Sequence, residues 1–119
     1  MTQFRAVQFR TSQAPTGRVI RTIDLDTATG HDIARLVAGV DTADLVVMIV
    51  AAGSDAHAAA IIGEACSARR VMTHTIIVRA SAVSDAALSR TLAQVRPWSL
   101  MVVVTNDDDY VDDILRSFR

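Results

Sequence analysis

Lysine is absent from this chain, and all twelve basic residues are arginine. The absence excludes Schiff-base chemistry, the lysine of phosphate-binding loops, and the lysine with which receiver domains and phosphoaspartyl enzymes neutralise a phosphoryl group. Cysteine is nearly as scarce. The single one, Cys66, falls in an apolar segment with helical spacing, so we expect a buried structural thiol and not a reactive one.

Excess charge and long apolar runs are also missing. The formal net charge is -1 and the arginines are scattered, which argues against a nucleic-acid partner. No apolar stretch reaches the roughly 18 to 20 residues that span a bilayer, and the start of the chain lacks the apolar core of a signal peptide. We therefore expect a cytoplasmic protein with no membrane partner, folded as a single α/β domain over residues 1–119.

Three apolar runs are the strongest signal in the chain: residues 44–50, 75–78 and 100–104. Each is followed by a polar loop and a segment with helical spacing, an alternation typical of parallel sheets. The sequence thus predicts a Rossmann-like α/β fold with a mostly parallel sheet of four to five strands flanked by helices. Four residues are expected to be buried in the sheet. They are Val47, Ile49, Ile77 and Val103.

Strand composition also appears near the start of the chain. Residues 4–10 and 18–25 have it, and the turn residues at 14–17 between them predict an N-terminal hairpin at one edge of the sheet. A hairpin edge offers open backbone groups to a second copy, so we expect a homodimer through this hairpin. The apolar side chains expected there are Phe4, Phe9, Val19 and Ile23.

Four segments have apolar residues at helical spacing. They are Ile33 to Val40, a segment capped by Ser54 or Asp55 and ending near Arg70, a segment capped by Ser84 and ending before Pro97, and Val111 to Phe118. In the second segment we expect Ile61, Ile62, Ala65 and Cys66 to face inward, with Glu64 and Ser67 exposed. Gly63 is expected to allow close packing of this helix.

The carboxyl ends of parallel strands meet at one edge of a sheet, and the only candidate site lies there. The residues expected to bind a ligand are Gly53, Ser54, His57, Arg79, Asn106 and Asp107. Ser54 and the following helix N-terminus would hold an anion, and Arg79 would supply positive charge. The alternative is that Ser54 or Asp55 only caps the helix and that His57 is solvated.

Metal binding is a weaker hypothesis. His57 follows one strand and His74 opens the next, so they belong at opposite edges of the sheet and we assign no zinc site. A magnesium cluster of Asp26, Asp55 and Asp107 is an alternative to simple capping by these aspartates. No catalytic residue and no resident cofactor is assigned, with a nucleotide or Mg²⁺ kept as alternatives.

Residues 40–115 resemble part of the nucleotide-binding domain of the tubulin and FtsZ family. Residues 42–47 (TADLVV) are similar to its ADLVF strand, residues 58–69 to its Ala-rich helix, and residues 100–107 (LMVVVTND) to its LIVIPND strand and turn. The resemblance implies a Rossmann-like fold and nucleotide contacts at Gly53, Ser54, Asn106 and Asp107. The family's GGGTGTG loop is replaced by residues 52–58 (AGSDAHA) with Gly53 as its one glycine, so we expect no GTP hydrolysis.

Three functions are compatible with these patterns. The first is a non-catalytic α/β module, a reduced relative of the FtsZ and tubulin domain, that acts through a protein partner or its own dimer. The alternative is a nucleotide- or phosphate-binding protein that uses the loop from Gly53 to His57. The third is a small hydrolase that uses His57 or an aspartate cluster.

Overall fold

In the described part of the chain five strands form one sheet, and the regular elements follow from the apolar runs of the sequence. The computed structural model describes residues 9–13, 19–26, 35, 38, 40–106 and 110–117. The strands are β1 (Phe9–Gln13), β2 (Val19–Asp24), β3 (Leu45–Ala51), β4 (Met72–Val78) and β5 (Met101–Val104). The helices are α1 (Ala58–Ala68), α2 (Asp85–Val95) and α3 (Tyr110–Ser117), and short 3-10 turns lie at Val40–Thr42, Ala80–Ala82 and Arg96–Trp98.

The strands lie side by side in the order in which they occur in the chain. β1 is antiparallel to β2, with Phe9 opposite Ile23, and this confirms the antiparallel pairing of the N-terminal hairpin. The first strand continues to Gln13, past its predicted end at residue 10, and residues 4–8 lie outside the described residues. β2, β3, β4 and β5 are parallel, which confirms the predicted α/β sheet. The turn residues 14–17 lie outside the described residues. Because the parallel strands follow one another without a reversal of order, this part of the sheet has no topological switch point, the usual position of a ligand crevice.

Helices cover both faces of the sheet. One face packs against α1 and α2 in a cluster that includes Met48, Ile62 and Val95. The other face packs against α3 in a cluster that includes Val47, Val111 and Leu115. β3 is covered on both faces and six of its seven residues are buried, as a continuous apolar strand requires.

Burial in the sheet depends on whether a strand is central or at an edge. Val47, Ile49 and Ile77 are buried as predicted. Val103 is only half-buried, so its predicted burial was wrong. The reason is that β5 is an edge strand, which among the described residues pairs only with β4.

The start and the exposed face of α1 differ from the sequence prediction. α1 begins at Ala58, and its N-cap residue is His57, whose side chain makes no capping hydrogen bond. The predicted cap by Ser54 or Asp55 was therefore wrong. Ile62, Ala65 and Cys66 are buried, but Ile61 is 44% exposed and the prediction that it faces inward was wrong. The predicted exposure of Glu64 and Ser67 is confirmed.

Gly63 fixes the distance between α1 and the 3-10 turn that follows α2. A Cβ atom on Gly63 would lie 2.4 Å from the Cβ atom of Trp98. Such a contact is far inside van der Waals distance, so only glycine allows Trp98 to lie against this helix. The prediction of a close-packing glycine is confirmed.

The remaining helices follow their sequence signals closely. The Ser84 hydroxyl caps α2 by accepting a hydrogen bond of 3.2 Å from the Ala87 N–H. α2 gives way at residue 96 to a 3-10 turn that contains Pro97, as predicted. In α3 Val111 and Leu115 are buried, whereas Phe118 lies outside the described residues.

Two predictions near the start of the chain fall largely outside the described residues. Of the helix expected at residues 33–40, Arg35 and Ala38 are described and are helical, while Val40 is described, buried and begins a 3-10 turn. Of the hairpin residues expected to form a dimer surface, Ile23 has none of its surface exposed. Ile23 packs in the protein's own core, so its predicted role at an intermolecular contact was wrong.

Candidate functional site

The carboxyl ends of the parallel strands converge, and backbone hydrogen bonds join the turns that leave them. The Ala52 N–H donates to the Val78 carbonyl over 2.8 Å, and the Ala80 N–H donates to the Thr105 carbonyl over 3.1 Å. The loop after β3, the turn after β4 and the end of β5 are therefore neighbours. The sequence correctly predicted that these segments share one edge of the sheet.

Gly53 turns the chain sharply at the end of β3. Its φ of +86° lies in the left-handed region that favours glycine, and a Cβ atom there would lie 3.1 Å from Val83. The Gly53 N–H donates to the hydroxyl oxygen of the buried Thr91 over 2.9 Å, and that hydroxyl lies within donating distance, 3.3 Å, of the Ser54 carbonyl. Thr91 on α2 thereby holds both residues of the turn.

Gln94, one turn further along α2, holds the next two residues of the loop. Its amide nitrogen donates to Asp55 Oδ1 over 2.8 Å, and its amide oxygen accepts from the Ala56 N–H over 2.8 Å. The hydrogen bond from Gln94 is the main cause, and that from the His57 N–H the second, of a pKa of Asp55 below its ordinary value. The loop is thus fixed to a helix that comes much later in the chain.

His57 lies at the start of α1 and points largely into solvent. Its Nδ1 is 3.5 Å from Asp55 Oδ2, and the two side chains are 71% and 72% exposed. An ion pair so exposed to water is screened and contributes little. His57 is therefore available to solvent, as the alternative of a solvated histidine expects, and its backbone N–H donates to Asp55 Oδ1.

Arg79 and Asn106 lie on the neighbouring turns. Arg79 has a φ of +58°, an uncommon conformation for a residue with a side chain. It precedes Ala80, whose N–H bonds to Thr105, and Asn106 follows Thr105 and is exposed. Asp107, the last of the predicted ligand residues, lies outside the described residues.

A groove of about 470 Å³ adjoins the loop. It is lined by Gly53, Ser54, Asp55, Arg90, Ala93 and Gln94. Of the predicted ligand residues it brings together Gly53 and Ser54, while His57, Arg79 and Asn106 do not line it. The groove carries one arginine and one aspartate, so it has no excess of positive charge for an anion.

A second groove, of about 460 Å³, lies at the opposite edge of the sheet, where β4 and β5 begin. Trp98, Met72 and Leu100 line it together with Arg70 and the hydroxyl residues Ser67 and Ser99. Where β4 and β5 begin, the residues that line this groove are mostly apolar. The groove contains no predicted ligand residue.

The aspartates near the carboxyl edge are engaged in backbone contacts. Asp26 Oδ2 accepts from the Ala51 N–H over 2.8 Å, and Asp24 Oδ1 accepts from the Asp26 N–H over 2.9 Å. Within the described part of the chain, no three histidine, cysteine or acidic side chains are placed to hold a metal ion. The third aspartate of the magnesium hypothesis, Asp107, is not among these residues.

Sequence reasoning did not identify Thr91, Gln94 or Arg90 as residues of this edge. Thr91 is the one signal that could have been noticed, since a threonine on the inward face of an amphipathic helix needs a hydrogen-bond partner. Its partners are 37 and 38 residues away in the sequence. Gln94 and Arg90 are ordinary polar residues of a helix surface, and no local pattern distinguishes them.

Cys66 is buried in the cluster beneath α1. Burial raises the pKa of its thiol above the ordinary value, because removal from water disfavours the thiolate. A protonated, inaccessible thiol is a poor nucleophile. The prediction of a structural cysteine is confirmed.

No helix of the described residues has the length and apolarity needed to cross a membrane. Comparison of the chain with protein-family models, with curated proteins and with solved structures gave no match.

Proposed function

We propose that this chain is a non-catalytic α/β module that acts by associating with protein, either a partner or a second copy. The main support for the proposal is that most backbone N–H groups of the loop after β3 are already hydrogen-bonded within the protein. Five of the six residues from Ala52 to His57 donate their backbone N–H groups to acceptors within the protein. Loops that bind phosphates instead direct such groups at the ligand.

The electrostatics of the loop favour the same conclusion. Asp55, whose pKa is lowered by hydrogen bonds from Gln94 and the His57 N–H, is ionised at neutral pH and lies on the groove beside Gly53 and Ser54. A carboxylate at this position repels a phosphate. The nucleophile that a hydrolase would need is not supplied by Cys66, which is buried and protonated.

Apolar side chains on the surface support association with protein. Among the residues that the structure describes, five large ones are exposed: Ile61, Met72, Leu100, Met101 and Val104. Three of them, Leu100, Met101 and Val104, lie at or next to one strand, and Met72 begins the neighbouring strand. Exposed apolar groups gathered in one region are typical of interaction surfaces. The likeness to the FtsZ and tubulin domain stays a prediction.

A thermal-shift series tests the proposal. The protein is heated alone and with GTP, ATP, magnesium chloride or inorganic phosphate, and GTP turnover is measured in parallel against a control without protein. We expect no stabilisation by these ligands and no turnover. A rise in melting temperature with phosphate or GTP that is lost in the Arg79→Ala variant would instead establish the nucleotide- or anion-binding alternative.

A further inference from the structure

We infer that the outer edge of β5 pairs in antiparallel fashion with β5 of a second copy of this chain, forming a dimer with a continuous sheet. The inference rests on the proposed function and names the surface and the partner. β5 bonds to β4 along one side. Among the described residues nothing pairs with its other side.

The register shows which backbone groups are open. The Thr105 N–H donates to the Ile77 carbonyl over 2.8 Å, so Thr105 directs its backbone at β4. Backbone groups alternate in direction along a strand, and Val103 therefore also faces β4 while Val102 and Val104 face outward. The outward N–H and C=O groups of these two valines need either water or another strand.

The side chains of this edge do not protect it from pairing with another strand. Its short length is the one usual protective feature that it has. Edge strands usually avoid pairing through charged residues or proline. No charged residue and no proline occurs in residues 98–106, and β5 itself reads Met-Val-Val-Val. Val104 is 44% exposed and Leu100, just before the strand, is 72% exposed. β1, the opposite edge strand among those described, reads Phe-Arg-Thr-Ser-Gln and contains a charge.

A second copy fits this edge because the edge is complementary to itself. When two β5 strands run antiparallel about a twofold axis at Val103, Val102 of one copy lies opposite Val104 of the other. Each such pair exchanges two backbone hydrogen bonds, since both residues face outward. The uncharged valine surface then meets an identical uncharged surface. Both β5 edges are consumed in one contact, so association through them stops at the dimer.

Cysteine cross-linking tests the register directly. Val103 would lie opposite Val103 of the second copy in a non-hydrogen-bonded pair, whose Cα atoms approach to about 4.5 Å, within disulfide range. We expect the Val103→Cys variant to form a disulfide-linked dimer under mild oxidation. Asn106→Cys, an exposed residue just past the strand and off the axis, is the control and should remain largely uncrosslinked. The native Cys66 is buried and does not compete.

Sedimentation equilibrium tests the edge without a new covalent bond. Val104→Pro removes an outward N–H and leaves the ladder with β4 intact. Val104→Lys places a charge on the edge, and Ile61→Lys places the same charge on α1 at a residue with the same 44% exposure. Over loading concentrations of about 1 to 200 micromolar, we expect both Val104 variants to weaken dimerisation at least about tenfold, and Ile61→Lys to change it less than about twofold.

Each outcome separates this inference from the proposed function. A wild-type protein that stays monomeric throughout, with no cross-linking of Val103→Cys, overturns the β5 dimer and leaves association with a different partner standing. A dimer that persists in the Val104 variants also overturns it, because the contact then uses another surface. The proposed function fails only in the ligand experiment, where phosphate, nucleotide or metal would stabilise the protein.

Discussion

Gln94 and Asp55 are 39 residues apart in the sequence and are joined by a 2.8 Å hydrogen bond from the Gln94 amide to the Asp55 carboxylate. The same glutamine accepts from the Ala56 N–H, so one side chain from α2 brackets the loop that follows β3. The bracket explains why Asp55 does not cap α1. It also occupies one of the loop's backbone donors, the Ala56 N–H.

The bracket makes Gln94 a determinant of stability. Ala56 is fully buried, and the Gln94→Ala variant removes the acceptor of its N–H. We expect a loss of about 1 to 3 kcal/mol in the free energy of unfolding, the range for a buried donor left without a partner. Urea denaturation followed by circular dichroism measures it.

The Gln94→Glu variant is the matched test of this bracket. A glutamate keeps an oxygen for the Ala56 N–H but places a carboxylate against Asp55. We expect it to be less stable than wild type at pH 7 and to recover part of the difference on acidification, as the repulsion is relieved. Wild-type stability of Gln94→Ala would contradict the bracket.

The lowered pKa of Asp55 predicts a dependence of stability on pH. A carboxyl group whose pKa is lower in the folded state than in the unfolded state stabilises the protein above its unfolded pKa, and this contribution is lost as pH falls through the folded pKa. We expect Asp55→Asn, which cannot ionise, to be less stable than wild type at pH 6. The difference should shrink below about pH 4. Denaturation curves of the two proteins at pH 6 and pH 3 test this, and a difference independent of pH would contradict it.

The sequence predicted the positions of the strands better than the burial of their residues. Continuous apolar runs predicted β3, β5 and the last four residues of β4, which begins three residues earlier at Met72. A strand covered on both faces, such as β3, has no polar alternation. The same pattern could not separate the central strand β3 from the edge strand β5, because both are apolar, and Val103 was misplaced for that reason. Strand order is set by how the helices cross over, and no single residue encodes it.

The candidate site shows the same limit. Its place at the carboxyl ends of the strands followed from the parallel arrangement, and Gly53 and Ser54 do line a groove there. Two of its backbone N–H groups, those of Gly53 and Ala56, are bonded to Thr91 and Gln94, which belong to a later helix. Ser54 and Asp55 are good N-cap residues by local preference. In the folded chain Asp55 instead accepts from the nearby His57 N–H and from the Gln94 amide. The contact with Gln94 joins distant segments, and local preference does not contain it.

The contact between Gly63 and Trp98 predicts that alanine is harmful in the middle of α1. Alanine favours helix by about 1 kcal/mol over glycine, so propensity alone would make Gly63→Ala stabilising. Its Cβ, however, would lie 2.4 Å from the Trp98 Cβ, and the overpacking is expected to cost more, for a net loss of about 1 to 2 kcal/mol. Ser67→Ala, an exposed position of the same helix, is the control and should be close to neutral. A stability gain in Gly63→Ala would show that the turn at Trp98 moves freely.

Just after α1, at Arg70, we expect a substitution to glycine to stabilise the protein. The Val71 N–H bonds to the Cys66 carbonyl over 2.9 Å and the Arg70 N–H to the Ser67 carbonyl over 3.2 Å, the pattern of a helix end closed by a left-handed residue. Arg70 fills that position with a φ of +58°, where a Cβ is unfavourable by about 1 kcal/mol.

Arg70→Gly removes this strain and keeps both backbone hydrogen bonds, so we expect the free energy of unfolding to rise by about 0.5 to 1 kcal/mol. Arg69→Gly is the matched control. Arg69 has a φ of −103°, which arginine adopts without strain. Glycine there adds flexibility to the unfolded chain and removes the 3.2 Å hydrogen bond from the Arg69 guanidinium to the Ala65 carbonyl, so it should destabilise. Arg70→Ala separates strain from the loss of the guanidinium, since it removes the charged group and keeps the Cβ. If Arg70→Ala gained as much stability as Arg70→Gly, the gain would come from the side chain, and the left-handed backbone would not be its cause.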